Sequence, residues 1–370
     1  MNNVIFEKRL DLLRSKFASL GVDTVWIIQP DNRRYISGFK AADGQLDESS
    51  GCLFITLDQA LLLTDSRYTI QAQQEVVGFE VITHKKGLVD TIPEIFDRLN
   101  TRRLGFEGGY LIWDIYQKVK EKASQYSPSV ELIALSNPVE KIREIKTSEE
   151  VELLSRSAQL MGDVLAQVID ELTPGQVEKD IAWKIETLIR EQGADGASFP
   201  PIVASGSNGA LPHAVPTERR IGEGEPIILD VGAKLDGYCS DMTRTVFLGN
   251  PPSDFKEIYR VVREAQLLAL ESVRPGMKSN DVDSIARDVI KNAGFGDFFG
   301  HSLGHCIGMA PHERPSIGLL NPEALKEGMV FTVEPGIYIP GKGGVRLEEM
   351  VVIEENGARL LTTNKNFYLF

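Results

Sequence analysis

Five residues far apart in the chain, Asp230, Asp241, His305, Glu334 and Glu348, sit in settings that suit one shared metal site. Four carboxylates and one imidazole bring four negative charges, more than a single divalent cation needs, and an oxygen-rich shell suits hard or borderline ions. The set therefore predicts two ions. In Pro226-Ile227-Ile228-Leu229-Asp230-Val231-Gly232 the apolar run reads as a strand, and Asp236-Gly237 is a hairpin turn leading into Tyr238 to Phe247. With a two-residue loop, strand positions whose numbers add to an odd value share a face, a condition that Asp230 and Asp241 meet. They are directly opposed or diagonal, within about 4.5 to 8 Å, according to whether the turn centres on 235–236 or 236–237. Two like charges so close repel unless a cation lies between them. Glu334 and Glu348 add to an even value, so a shared face demands an odd loop or a bulge, for which Pro335, Pro340 and Gly341-Lys342-Gly343-Gly344 supply the material. On the strand ending in Val351-Val352-Ile353, either Glu348 or Glu349 faces inward, depending on register.

Histidine is scarce, yet His301, His305 and His312 fall within twelve residues, with His213 upstream; His84, before Lys85-Lys86, reads as a surface residue. The run Gly300-His301-Ser302-Leu303-Gly304-His305-Cys306-Ile307-Gly308 puts imidazoles on glycine-rich backbone, where another strand or a ligand can approach closely. The same run contains G-x-S-x-G, which would make Ser302 the nucleophile of a serine hydrolase. Its context argues against that reading: no apolar strand precedes it, no helix follows before Pro311, and no acid separates Ser302 from His305 or His312. His312-Glu313 lacks the second histidine of H-E-x-x-H, since position 316 is serine. Cys306 reads as a small buried thiol.

The elements that must position these residues follow from periodicity. Leu10, Leu13, Phe17 and Leu20 recur at helical spacing and stop at Gly21, before a buried strand at Thr24-Val25-Trp26-Ile27-Ile28. A hairpin is expected over Cys52 to Thr56 and Leu61 to Thr64, then a helix from Ile92 to Leu99, a strand around Leu104 to Phe106 and a helix near Ile112 to Ala123. Ser127 to Pro138 shows no clear period, and Ser148-Glu149-Glu150-Val151 opens a long helical pattern, so a domain boundary is expected near residue 140. Beyond it lies an internal repeat. Pro174-Gly175 falls on Pro275-Gly276, Ile181 on Val282, Ile185 on Ala286, Leu188 on Val289, Ile189 on Ile290 and Gly193 on Gly294. Each copy reads as turn, amphipathic helix and glycine stop, followed by strands bearing two of the acids. Two similar α+β halves facing each other are expected.

A chain of 370 residues, 42% hydrophobic, can bury a large core and accommodates two domains. Its formal net charge of -13 and pI near 5.0, with basic pairs only scattered, speak against a nucleic-acid surface. Cys52, Cys239 and Cys306 are odd in number and lack the spacing of a disulfide framework or thiolate zinc site, which fits a reducing cytoplasm. Charge interrupts the first residues too early for a signal peptide, and no stretch of about 18 apolar residues follows, so neither export nor a membrane span is expected.

These motifs resemble the creatinase/prolidase-type metallopeptidases, the pita-bread family, over essentially the whole chain. The resemblance implies an α/β creatinase-like N-terminal domain, residues 1–139, and an α+β pita-bread catalytic domain, residues 140–370, with pseudo-twofold halves. The presence of the N-terminal domain favours the proline-specific branch of Xaa-Pro dipeptidases and aminopeptidases. In that branch Leu229-Asp230-Val231-Gly232-Ala233 and Gly237 to Thr245 supply two aspartate ligands, Gly304-His305-Cys306-Ile307-Gly308 the histidine, and Thr332-Val333-Glu334-Pro335-Gly336 and Gly344-Val345-Arg346-Leu347-Glu348 the two glutamates. It further implies that His213 contacts substrate, that His301 belongs to a proline pocket, that His312 stabilises the tetrahedral intermediate, and that Tyr338 and Arg346 are active-site residues. Cys306, where glycine is usual, and Met350 depart from the pattern without removing a ligand. The expected activity is hydrolysis of the bond before proline in Xaa-Pro dipeptides or short peptides, with two divalent ions, Mn2+ foremost and Co2+, Zn2+ or Fe2+ as alternatives. Glu334 is expected to act as proton shuttle and His213 and His312 as donors to the developing oxyanion, and the resemblance implies a homodimer. The competing readings are a metal-free creatinase-like hydrolase or a binding pseudoenzyme on the same fold, and the serine hydrolase of Ser302.

Overall fold

Thr24-Val25-Trp26-Ile27 is buried on both faces and forms β1 (Thr24–Ile27), an inner strand of a six-stranded mixed sheet. It is completed by β2 (Cys52–Ile55), β3 (Ala60–Thr64), β4 (Glu80–Thr83), β5 (Arg103–Glu107) and β6 (Glu131–Leu135), in the order β4-β3-β2-β1-β5-β6. The β1–β2 and β2–β3 pairs are antiparallel and the others parallel. Helix Leu88–Leu99 buries Ile92, Ile95, Phe96 and Leu99, which pack in one cluster with Trp26, Phe54 and Leu104. The computed structural model describes residues 3–45, 47–365 and 367, and the chain divides into units Met1–Arg143 and Glu144–Phe370. The short helix Glu140–Arg143 belongs to the first unit, tied there by Arg143 Nη1 donating to Asn32 Oδ1 at 2.6 Å.

Periodicity leaves two features of this unit unresolved. The segment without period contains the edge strand β6, whose Glu131 and Ala134 are exposed, so its burial does not alternate. The pattern ending at Leu20 is two helices, Asn3–Arg14 and Phe17–Leu20, the second stopping on Gly21 at φ 69°. Glycine suits that left-handed position because it carries no Cβ.

The second unit opens with helix Ser148–Asp170, started by a capping box between Thr147 and Glu150. Helix Glu178–Glu191 and the strands β7 (Gly196–Ala197), β8 (Ile202–Ser205), β9 (Pro226–Val231), β10 (Ala233–Leu235), β11 (Tyr238–Cys239) and β12 (Met242–Phe247) follow. After helices Ser253–Ser272 and Ser279–Asn292 come β13 (Gly304–Cys306), β14 (Glu313–Ile317), β15 (Val330–Val333), β16 (Gly336–Ile339), β17 (Gly343–Arg346), β18 (Glu349–Glu354) and β19 (Gly357–Leu360). Each half has its own sheet, β12-β9-β8 in the first and β14-β13-β15-β18-β19 in the second, and its own apolar cluster. Helices Glu178–Glu191 and Ser279–Asn292 coincide residue for residue under the sequence repeat. The turns before them coincide too, with Gly175 and Gly276 at φ 90° and 86° and matching bridges Val177 to Arg220 and Lys278 to Ala324. This is the pita-bread arrangement of pseudo-twofold halves. They are joined where β12 meets the end of β17 and the link that follows it: Glu348 N donates to Thr243 O at 3.1 Å, and Arg346 N to Thr245 Oγ1 at 3.1 Å.

Candidate metal centre

The hairpin turn of the first half centres on Asp236 and Gly237, at φ 50° and 85°, the pair of positive values that a type I′ turn requires. That centring pairs Asp230 with Thr243 and sets Asp241 diagonal to Asp230 on the same face. Between the aspartates the ladder pinches at Gly232, where a Cβ would lie 2.0 Å from Ser198 Oγ and 2.1 Å from Ser240 O. In the second half one register runs through β15–β18 and β16–β17, pairing Val333 with Glu349 and Gly336 with Arg346. Glu334 and Glu348 lie between those pairs, opposite each other. The turn joining β16 to β17 is the three-residue Pro340-Gly341-Lys342, the odd loop that the count demanded.

This register also separates Glu348 from Glu349. Glu348 Oε2 accepts from Thr243 Oγ1 at 2.8 Å on the acidic side of the sheet. Glu349 points away, to Arg244 Nη2 at 3.2 Å and to the hydroxyl of Thr362.

Asp241, Glu334 and Glu348 converge on His305. Its Nδ1 lies 3.2 Å from Cys306 O, a pure acceptor, so Nδ1 carries the proton and the lone pair is on Nε2. That Nε2 stands 3.4 Å from Glu334 Oε1 and 3.7 Å from Asp241 Oδ2. Burial, with His312 beside it, pushes the imidazole down to about 4 and keeps it neutral. Ligand atoms of Asp241, His305 and Glu348 all lie within 4.8 Å of one another. Burial first, then the neighbouring carboxylates, drives Asp241 and Glu334 well above the ordinary carboxylate range and Glu348 up to about 8. Asp230 Oδ2 takes a 2.6 Å hydrogen bond from Arg346, whereas its Oδ1 is buried without a donor. A neutral lone pair facing carboxylate oxygens, plus an orphaned carboxylate oxygen, is unfavourable without positive charge between them. The donor set fits divalent cations, and nitrogen with oxygen suits first-row ions.

A second chain of contacts borders the acids. His301 Nδ1 lies 2.8 Å from Ser302 O and therefore carries the proton, so Nε2 accepts from Tyr338 OH at 2.9 Å. Burial pushes His301 down to about 4 and Tyr338 up to about 12, consistent with a neutral ring and an intact phenol. Tyr338 OH accepts from Arg346 Nη1 at 2.7 Å, and the same nitrogen donates to Pro212 O at 3.1 Å. Arg346 Nε reaches Thr243 Oγ1 at 3.2 Å, so Arg346 spans from Asp230 to the threonine that holds Glu348.

All five candidate ligands, with His213, His301, His312 and Arg346, line one cavity of about 530 Å³. Its apolar wall includes Phe199, Pro200, Pro201 and Val215. Tyr338 is buried outside that lining, touching His301 and Arg346. The His305 and His312 rings meet edge to face, centroids 4.3 Å apart. Ser302 sits on coil entering β13 and not on a strand-to-helix elbow, and Cys306 is a buried thiol pushed up to about 12 by burial. Sequence reasoning missed Thr243 and Thr332. The first holds Glu348 and Arg346; the second donates to Glu334 Oε1 at 3.3 Å and accepts from His305 N at 3.1 Å. For Thr243 the alternation of Asp241, Thr243 and Thr245 put three polar side chains on one strand face, which marked the face but not the partners.

Residues 152–355 match the family model described as metallopeptidase family M24, and residues 9–145 that of the creatinase/prolidase N-terminal domain. The chain is 39% identical over 356 residues to an Xaa-Pro dipeptidase of Pyrococcus furiosus, covering 96% of this chain and 98% of that one. The structure of an Xaa-Pro dipeptidase from Bacillus anthracis superimposes with a TM-score of 0.90 at 37% identity, covering 97% and 98% of the two chains. That of an X-Pro aminopeptidase from Thermotoga maritima gives 0.85 at 35% identity, covering 94% and 97%. With its paired halves, its converging carboxylates and these likenesses along nearly its full length, the chain belongs to metallopeptidase family M24 and carries a creatinase/prolidase N-terminal domain.

Proposed function

We propose that this enzyme hydrolyses the peptide bond before proline at the N-terminus of Xaa-Pro dipeptides or short Xaa-Pro peptides. The observation that carries the reading is the convergence of Asp241, Glu334 and Glu348 on His305, with Asp230 lining the same cavity beside an apolar wall. Asp230, Asp241, His305, Glu334 and Glu348 would hold two divalent ions, Mn2+ first among Mn2+, Co2+, Zn2+ and Fe2+. Such ions, when bound, supply Lewis acidity and an activated water, whose pKa falls from 15.7 to about 7 in well-studied sites.

The chain's own groups do the rest. Glu334 Oε1, held by Thr332, accepts the proton of the attacking water and delivers it to the leaving proline nitrogen. His213 and His312 donate to the oxygen on which negative charge grows. His301, locked by Ser302 O and Tyr338, presents a fixed neutral ring to the proline side, and Arg346 restrains Asp230 and the Pro212 carbonyl. A positioned acid or base contributes about 10² to 10⁴-fold. No described helix is long and apolar enough to cross a membrane. Three buried cysteines that form no disulfide favour a reducing cytoplasm, and the family likeness favours a homodimer.

The test is cleavage of Xaa-Pro dipeptides and Xaa-Pro-Yaa tripeptides after loading with Mn2+, Co2+ or Zn2+, with and without chelator, alongside metal analysis. Chelator-sensitive cleavage with two ions per chain is expected, and cleavage of dipeptides alone assigns a prolidase. Chelator-resistant activity, or turnover without bound metal, sinks the proposal.

A further inference from the structure

The repeated helices Glu178–Glu191 and Ser279–Asn292 each carry a carboxylate with no solvent exposure, Glu178 and Asp283. Neither is among the candidate ligands, and both spend their oxygens on a loop. Glu178 Oε1 accepts from Ser205 N and Oγ, both at 2.7 Å. Its Oε2 accepts from Asn208 Nδ2 at 2.9 Å, Thr217 N at 3.0 Å and Thr217 Oγ1 at 2.6 Å. A carboxylate has about four lone-pair sites, so these donors saturate it. They come from both ends of segment 205–217, which carries Pro212 and His213 to the cavity.

In the second half Asp283 accepts from Leu303 N at 2.9 Å and clasps Arg287 through both oxygens, at 2.7 and 3.0 Å. Arg287 then donates to Phe299 O at 2.9 Å and His301 O at 2.8 Å, so both ends of segment 299–303 are gripped around His301. Asp283 lies one helical turn beyond the repeat partner of Glu178, on the same helix face. The same device thus occurs in both halves, each time on a loop bearing a cavity histidine.

We propose that Glu178 and Asp283 are positioning residues for the substrate pocket, Glu178 acting through the loop that presents His213 and Asp283 through Arg287 on the loop that presents His301. The proposal rests on the peptidase reading of those histidines. A side-chain amide in either place turns a donor toward donors and leaves some unpaired, which loosens the loop while the metal-facing strands keep their register.

The experiment uses the full-length, Mn2+-loaded protein and the variants Glu178→Gln and Asp283→Asn, alone and combined with His213→Ala and His301→Ala. Metal content should match the parent, and kcat/KM toward an Xaa-Pro dipeptide should fall about tenfold or more. In the His213→Ala background Glu178→Gln should cost less than twofold, and Asp283→Asn likewise in the His301→Ala background, because residues acting as a unit are non-additive. Equal losses in both backgrounds overturn the proposal. Hydrogen exchange supplies a readout independent of activity: Glu178→Gln should speed exchange within 206–217 and not within 299–303, and Asp283→Asn the converse. A uniform rise, or none, also overturns it. A parent without metal-dependent cleavage would defeat the peptidase reading, while the exchange pattern would still decide whether the acids hold these loops. Should Glu178→Gln fail to fold, Thr217→Ala, which removes one hydroxyl donor, should give the same exchange pattern at smaller amplitude; unchanged exchange there overturns the proposal.

Discussion

Arg346 Nη2 donates to Asp230 Oδ2 at 2.6 Å, while Oδ1 of the same carboxylate is buried with no donor. One oxygen is thereby fixed by protein and the other left for a ligand. The guanidinium also reaches Thr243, Pro212 O and Tyr338, which with Asp230 makes four partners that no ammonium can serve in the same fork. Arg346→Lys should therefore keep the fold and lower kcat/KM by about 10² or more, with weakened affinity at one of the two ions. Steady-state kinetics with metal titration checks this, and near-parental values would show that the fork is dispensable.

Glu348 and Glu349 are neighbours with opposite surroundings, so their removal should have opposite consequences. Glu348→Gln should abolish metal retention and turnover with little change in apoprotein stability, as should Asp241→Asn, because apolar burial is untouched. Glu349→Ala leaves Arg244, fully buried, without its carboxylate partner, and losing one member of a buried pair costs about 3–5 kcal/mol. It should retain two ions per folded chain while its denaturation midpoint falls. Parallel metal analysis and denaturant titration separate the two; identical behaviour would mean that the register inference is wrong.

Much of this arrangement was legible from parity and turn chemistry. Asp236-Gly237 marks a two-residue turn, and the count alone puts Asp230 and Asp241 on one face. The even count for Glu334 and Glu348 demanded an odd loop, and Pro340-Gly341-Lys342 is one. The repeat was visible because turn glycines and apolar helix faces recur under fixed local constraints. What stayed hidden depends on long-range register. Which of Glu348 and Glu349 turns inward is set by pairing with β15, and β6 carries no sequence period because an edge strand is buried unevenly. Thr243 escaped because a hydroxyl gains its role only from neighbours a hundred residues away, Arg346 and Glu348.

In the first unit, Glu107 is 3% exposed and accepts from Ile28 N at 2.6 Å, Gln29 N at 2.8 Å and Asn32 Nδ2 at 2.7 Å. Burial pushes its carboxyl up to about 7, with Glu140 adding to the rise. A folded-state value above the unfolded one means that the native chain holds this proton more tightly. Its contribution to stability is complete below the unfolded value, near 4.5, and is lost as pH climbs through about 7. The loss amounts to about 3 kcal/mol. Urea unfolding at intervals between pH 4.5 and 8 should show this decline in the parent and a flatter profile in Glu107→Gln. A variant with the parental slope would remove Glu107 as the cause.

Gly232 offers the sharpest geometric test of the centre, because it separates Asp230 from Asp241 where the ladder pinches. A methyl group there would stand 2.0 Å from Ser198 Oγ and 2.1 Å from the carbonyl oxygen of Ser240. The serine hydroxyl can rotate away, but the carbonyl belongs to backbone that also accepts from Ser198 Oγ at 2.9 Å, so the strands must part. Gly232→Ala should therefore lower stability by about 1–3 kcal/mol, the usual range for overpacking, and displace the two aspartates relative to each other. Metal affinity should fall even in the fraction that folds. Gly109→Ala, with no atom within 4 Å of the added carbon and no positive φ, serves as the control and should leave melting temperature and metal content unchanged. Isothermal titration with Mn2+ beside thermal melts reads both effects. If Gly232→Ala binds metal like the parent, the spacing of Asp230 and Asp241 does not depend on that close approach.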